Sequence, residues 1–115
     1  MVQRLPDVTP NEFFALDMRV GRVVEVEPFP EARDPAWKLT VDFGADVGVL
    51  RTSAKVTNYT EEQLVGRLVV GAVNLGEKRI AGFKSQFLVL GAVGDDHVVH
   101  LLEVPSHVEP GTRIS

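Results

Sequence analysis

The segment Trp37-Lys38-Leu39-Thr40-Val41-Asp42-Phe43 alternates apolar and polar residues without a break and stops at Gly44. A period of two places Trp37, Leu39, Val41 and Phe43 on one face and Lys38, Thr40 and Asp42 on the other, as a half-buried strand requires. Gly44-Ala45-Asp46 then makes a tight connection to a second alternating run ending at Ala54, in which Arg51 and Ser53 share the face opposite Leu50 and Thr52. The two runs predict a β-hairpin, so the core must be built on a sheet.

The remaining segments extend this pattern. Residues 18–29, rich in Val with alternating charge, predict a long first strand, and Gly21 or the Val23-Val24 doublet predicts a bulge that curves it. Three prolines, Pro28, Pro30 and Pro35, make the following stretch a loop. Thr60 with Gln63 forms a capping-box signature that Gly66 closes, so one or two helical turns follow the third strand. RLVVGAV, QFLVLGAV and HVVHLLEV predict three further strands. Ahead of them all, Thr9, Pro10 and Glu12 supply a cap, a first-turn proline and a capping-box partner for a short helix reaching about Leu16. Short curved strands, a helix between the third and fourth, and two long irregular connections predict an all-β, five-stranded OB-fold Greek-key barrel. The barrel spans about residues 17–93, with residues 1–16 as a helical extension and 94–115 as a strand extension; an SH3-like barrel explains the inserted helix less well.

At 115 residues the chain has the length of one domain. It has no cysteine, which excludes disulfide and thiolate chemistry. The start MVQRLPDVTP lacks the flanks of a signal peptide, and no apolar run approaches a bilayer-spanning length, so a cytoplasmic location without membrane insertion is expected. His97 and His100 would face opposite sides of a strand, and His107 stands apart, so no metal site is expected. Asp95-Asp96 sits in a turn and Glu61-Glu62 in the first turn of a helix. With no nucleophile elbow, phosphate-cradling loop or cofactor fingerprint, neither catalysis nor a cofactor is expected.

The net charge of −4 argues against coating nucleic acid with bulk positive charge. Residues 74–87 nevertheless hold Lys78, Arg79 and Lys84 against Glu77 alone, a local charge of +2 that leaves −6 elsewhere. This run occupies the connection between strands four and five, which in OB barrels takes ligands together with the outer face of strands two and three. Asn74 and Ser85 add neutral hydrogen-bonding groups, and Gly76 and Gly82 permit close backbone approach. Arg51 and Ser53, on the outward face of strand three, and Leu75 and Phe83 complete the candidate ligand-binding set. Phe83, between Gly82 and Lys84, is placed equally well in solvent or in a core; alternation assigns Trp37 to the core. Oligosaccharide binding ranks last because no exposed aromatic platform is evident.

LDMRVGRVVEVEPFPEA, WKLTVDFG, EEQLVGRLVVGAVNL and KRIAGFKS, in that order, resemble the tRNA-binding domain found alone and appended to methionyl- and phenylalanyl-tRNA synthetases. The likeness runs from about residue 12 to the C-terminus and is narrower toward the CsaA-like branch, whose members are free-standing, homodimeric, export-related and chaperone-like. It implies an OB fold and places Asn74, Leu75, Lys78, Arg79, Gly82 and Ser85 on the RNA-facing rim. Where tRNA-binding members commonly continue Ser-x-Gly-Met, this chain has Ser85-Gln86-Phe87-Leu88. That apolar bulk favours the branch implied to bind apolar and basic segments of precursor or unfolded polypeptides, with the export machinery as a further partner and tRNA as the alternative. Phe13, Phe14 and Leu16 of the first helix and Val98 and Leu101 of the last strand exceed what a five-stranded barrel needs, so they either cap the barrel ends or form a homodimer interface, and the resemblance favours the homodimer.

Overall fold

The computed structural model describes residues 3–115; Met1 and Val2, the start of the stretch read as lacking a signal peptide, lie outside the described residues. The elements are α1 (Pro10–Phe14), β1 (Met18–Pro28), β2 (Trp37–Asp42), β3 (Val49–Ala54), α2 (Glu61–Leu64), β4 (Leu68–Ala72), β5 (Lys78–Ile80), β6 (Phe83–Ser85), β7 (Leu88–Val89), β8 (Gly91–Val93) and β9 (Val99–Leu101). Strands β3-β2-β1-β4-β7 form one antiparallel sheet that curls into a nearly closed, OB-like barrel. The curl starts where the Val23-Val24 doublet predicts it. Val23 pairs with Val41 and Glu25 with Thr40, leaving Val24 as the extra residue of a bulge.

Both capping boxes form. Thr9 and Glu12 exchange hydrogen bonds at 3.1 and 2.8 Å, and Thr60 and Gln63 at 3.2 and 2.8 Å, satisfying amide groups that such short helices leave open. The barrel interior holds Val23, Leu39, Val41, Phe43, Leu64 and Val69, each fully excluded from solvent. Phe43 packs edge-on against Phe87 with centroids 4.9 Å apart. Both rings lie on the β4 backbone: a Cβ added to Gly71 would stand 2.8 Å from Phe43 and 2.9 Å from Phe87. Gly71 is therefore required by close approach, since no side chain fits between strand and rings.

The C-terminal stretch after β9 does more than its turn-rich composition predicts. Val20 N–H donates to the Thr112 carbonyl at 2.9 Å, Gly111 N–H to Val20 at 2.7 Å and Ile114 N–H to Met18 at 2.9 Å, along the half of β1 that β2 does not reach. Leu16, Leu90, Val104 and Ile114 thus cover a second apolar layer made by Met18, Val70 and Ala72. Arg19 anchors this seal through Asp17 at 2.6 Å and the Gly111 carbonyl at 3.0 Å, and its hydrogen bond holds the Asp17 carboxyl below the usual aspartate range.

Two expectations are corrected. The predicted fifth strand is broken, with Leu88–Val89 pairing β4 and Gly91–Val93 turning away to pair β9. Leu101 is 5% exposed within the barrel core, and its amide donates to the Tyr59 hydroxyl at 2.9 Å. That side chain is used inside the subunit and is not available to a partner. Phe13 and Phe14 remain exposed, edge-on to each other at 5.2 Å. Leu16 and Val98 are half-buried.

Candidate functional site

The basic connection between β4 and β7 is itself a hairpin. Lys78 pairs with Ser85, Arg79 with Lys84 and Ile80 with Phe83, around a two-residue turn in which Ala81 and Gly82 have φ of 48° and 81°. Positive φ at both central positions is the turn whose twist matches a right-twisted hairpin, and Gly82 adopts it without strain. Lys78 and Ile80, two residues apart, project from one face of β5.

Phe83 fixes where the hairpin lies. It is 8% exposed and packs against Phe29 at 5.5 Å. The Lys38 ammonium stands 5.2 Å and the Arg51 guanidinium 4.8 Å from its ring centre. Phe83 is therefore an anchor beneath two cations, and sequence order could not reveal this because those cations come from β2 and β3. Such cation–aromatic contacts contribute about 0.5–1 kcal/mol when exposed and more when desolvated.

Arg51 is also held by Glu27 at 3.4 Å. A hydrogen bond between the Glu25 and Glu27 carboxyls raises the Glu25 pKa and lowers that of Glu27, and the charges of Arg51 and Lys38 further favour the Glu27 carboxylate. Glu27 thus remains an anion facing Arg51 while Glu25 is the more readily protonated partner.

Between the hairpin and the barrel run two adjoining cavities. One, of about 290 Å³, has apolar walls from Leu75, Ile80, Phe87 and Leu88 and a polar rim from Thr52, Ser53, Glu77, Lys78 and Ser85. The other, of about 380 Å³, lies between the hairpin and the proline-rich loop and is lined by Ala32, Arg33, Asp34, Ala36, Lys55 and Arg79. Ser53, Lys78 and Ile80 line both, so the two form one trough across the outer face of β3. A further cavity of about 300 Å³, bordered by Arg22, Arg67, Glu103 and Ser106, shares no residue with it.

The trough gathers most of the residues expected from sequence. Leu75, exposed, and Ser53, Lys78 and Ser85 line it, and Arg79 stands at its cationic end. The Ser85 hydroxyl shares a hydrogen bond with Thr52 Oγ1 at 2.8 Å, fixing the hairpin base to β3. Lys84 is on the hairpin within 3.8 Å of Glu77, and Gly82 is confined to the turn. Arg51 borders the face through its stack on Phe83.

Asn74 is different. Its Oδ1 accepts from the Asp17 amide at 2.8 Å and its Nδ2 donates to the Ala15 carbonyl at 2.8 Å, so it clasps the end of the α1 segment to β4. The side chain is exposed and is held in place by these two bonds. Of the apolar pair at 87–88, both line the trough, but Phe87 is buried against Phe43 and forms part of its floor, while Leu88 is exposed. Sequence reading misses Ile80, Arg33 and Lys55, the first hidden between two basic residues and the others in segments read as connections.

Seven of the twelve basic side chains, Arg33, Lys38, Arg51, Lys55, Lys78, Arg79 and Lys84, border this face. Three are ion-paired, Arg51 with Glu27, Lys55 with Asp34 at 2.9 Å and Lys84 with Glu77. Arg33, Lys38, Lys78 and Arg79 are in no ion pair among the described residues. No cluster of potential metal ligands occurs among the described residues, and no helix there is long and apolar enough to cross a membrane.

Residues 18–113 match the family described as "Putative tRNA binding domain". The methionine–tRNA ligase of Methanosarcina acetivorans is 32% identical over 98% of this chain, which spans 16% of the length of that enzyme. Two solved structures match nearly end to end. The CsaA chaperone protein from Picrophilus torridus is 42% identical, with a TM-score of 0.89 over 95% of this chain and 100% of that one. The chaperone CsaA from Bacillus anthracis is 42% identical, with a TM-score of 0.89 over 96% and 100%. With the barrel, the basic hairpin and this match over both lengths in place, the chain belongs to the tRNA-binding-domain family of OB folds, in its CsaA branch.

Proposed function

We propose that the protein is an ATP-independent, cytoplasmic chaperone of CsaA type that binds precursor or unfolded polypeptides and serves protein export. The observation that carries this reading is the trough with apolar walls of Leu75, Ile80 and Leu88 and a rim of hydroxyls and charges. Such a surface takes an extended chain by burying its apolar side chains, at roughly 25 cal/mol per Å² removed from water, while the rim meets its backbone. The activity needs no cofactor and forms no covalent bond. CsaA structures of matching length and 42% identity carry the chaperone name.

The working unit in this reading is a homodimer joined through Phe13, Phe14, Leu16 and Val98. Support comes from the two exposed phenylalanines on a five-residue helix that buries none of its own residues. A dimer sets two troughs on one particle and strengthens weak binding to a client that spans both. The expected outcome is delayed aggregation of a chemically denatured client at one dimer per client, with light scattering reporting a dimer that Phe13→Ser/Phe14→Ser converts to monomer. No delay at that ratio sinks the chaperone reading, and a wild-type monomer sinks the dimer.

A second reading, structure-specific tRNA binding, is favoured by the four basic side chains on the same face that are in no ion pair among the described residues. If about three phosphates are neutralised per subunit, log affinity should fall with log salt at a slope near about −4 for a dimer, at roughly −0.7 per single-stranded contact. Arg79→Ala should flatten that slope. A slope near zero, or one unmoved by the substitution, excludes tRNA as the ligand of this face.

A further inference from the structure

We infer that the trough selects, among unfolded segments, those that set an apolar side chain beside carboxylates. This rests on the polypeptide-binding reading and adds to it the chemistry of the preferred client. It also reverses the preference for basic segments that the family resemblance implies.

The two ends of the trough differ in kind. Leu75, Ile80 and Leu88 line one end, and Arg33, Lys55, Lys78 and Arg79 the other, with Ile80 and Lys78 belonging to both. A single extended segment therefore meets apolar walls and cations within a few residues of each other. The acids on the walls are already occupied. Asp34 is bonded to Lys55 at 2.9 Å, and Glu77 lies 3.8 Å from Lys84 and 3.5 Å from the Gln86 amide.

Arg33, Lys78 and Arg79 are left without a counter-charge among the described residues, so an incoming lysine finds repulsion and no free carboxylate. An incoming glutamate finds the planar fork of Arg79, which suits a carboxylate with two parallel hydrogen bonds. The neighbouring strand face adds Lys38 and Arg51, against Glu27, which is already paired with Arg51. Exposed charge contacts are individually weak, so three together predict a preference of roughly tenfold, screened by salt.

The test uses three fluorescein-labelled peptides with one apolar centre and flanks of glutamate, glutamine or lysine, titrated by anisotropy at low salt and at about 0.5 M. Glutamate flanks should bind roughly tenfold more tightly than lysine flanks at low salt, and the gap should close at high salt. Lys78→Glu/Arg79→Glu, both exposed positions, should invert the order while circular dichroism stays unchanged. Equal or tighter binding of the lysine peptide, or an order unaffected by the charge reversal, overturns the inference even if denatured clients are still held. Failure of all three peptides together with failure to hold a denatured client overturns the polypeptide-binding reading and this inference with it.

Discussion

Phe43→Ala is expected to lower folding stability by about 3–5 kcal/mol, the range for deleting a fully buried phenyl ring. The ring is 0% exposed, packs on Phe87 at 4.9 Å, and lies over both Gly21 and Gly71. Because those two neighbours have no side chains to swing into the space, the cavity term should be near the upper end. A small domain has about 5–15 kcal/mol in total, so the variant should unfold at a much lower urea midpoint with the same slope. Phe43→Leu, which keeps most of the volume, should cost less than half as much. A loss under about 1 kcal/mol for the alanine variant would mean that the barrel closes around the missing ring and that Gly21 and Gly71 are not set by it.

The second large effect is functional. Ile80→Ser/Leu88→Ser removes two of the apolar wall side chains and leaves every cation in place. If each side chain contributes about 1.5 kcal/mol of burial to a bound client, the pair contributes about a hundredfold in affinity. The concentration needed to halve client aggregation should rise accordingly, while stability moves little because Leu88 is 53% exposed and Ile80 half-buried. Neither residue neutralises a phosphate, so RNA affinity and its salt slope should be unchanged. Undiminished client protection would place polypeptide binding elsewhere on the surface.

What could be read from sequence was set by locality. Thr9 with Glu12 and Thr60 with Gln63 make their bonds three residues apart, so both helix starts were legible, as was the bulge beside the Val23-Val24 doublet. The alternation of β2 predicted its core face, with Leu39, Val41 and Phe43 fully buried. Trp37 is only half-buried, and its indole N–H donates to the Tyr59 carbonyl at 3.1 Å, a contact across 22 positions.

The basic run did not read as a hairpin because its arms have three residues each and its turn begins with Ala81, which carries no turn signature. Asn74 looked like a ligand group because its partners, Ala15 and Asp17, are nearly sixty positions away. That the basic run borders the outer face of β3 was legible from charge and fold alone. Which of its side chains are free required knowing what each one already holds.

The seam opposite the bulge has its own consequence. Where β3 and the segment after β6 meet, Gln86 N–H donates to the Arg51 carbonyl at 2.8 Å, and the Arg51 amide donates to Gln86 Oε1 at 2.9 Å. A side-chain amide thus completes a rung that the backbone alone leaves half made. An open strand edge is a template on which other extended chains polymerise. If the protein is the proposed chaperone, it meets unfolded chains and is exposed to that hazard more than most. Gln86 stoppers the edge at Arg51, so an extended chain that approaches it finds no open rung at that position on which to grow a fibre.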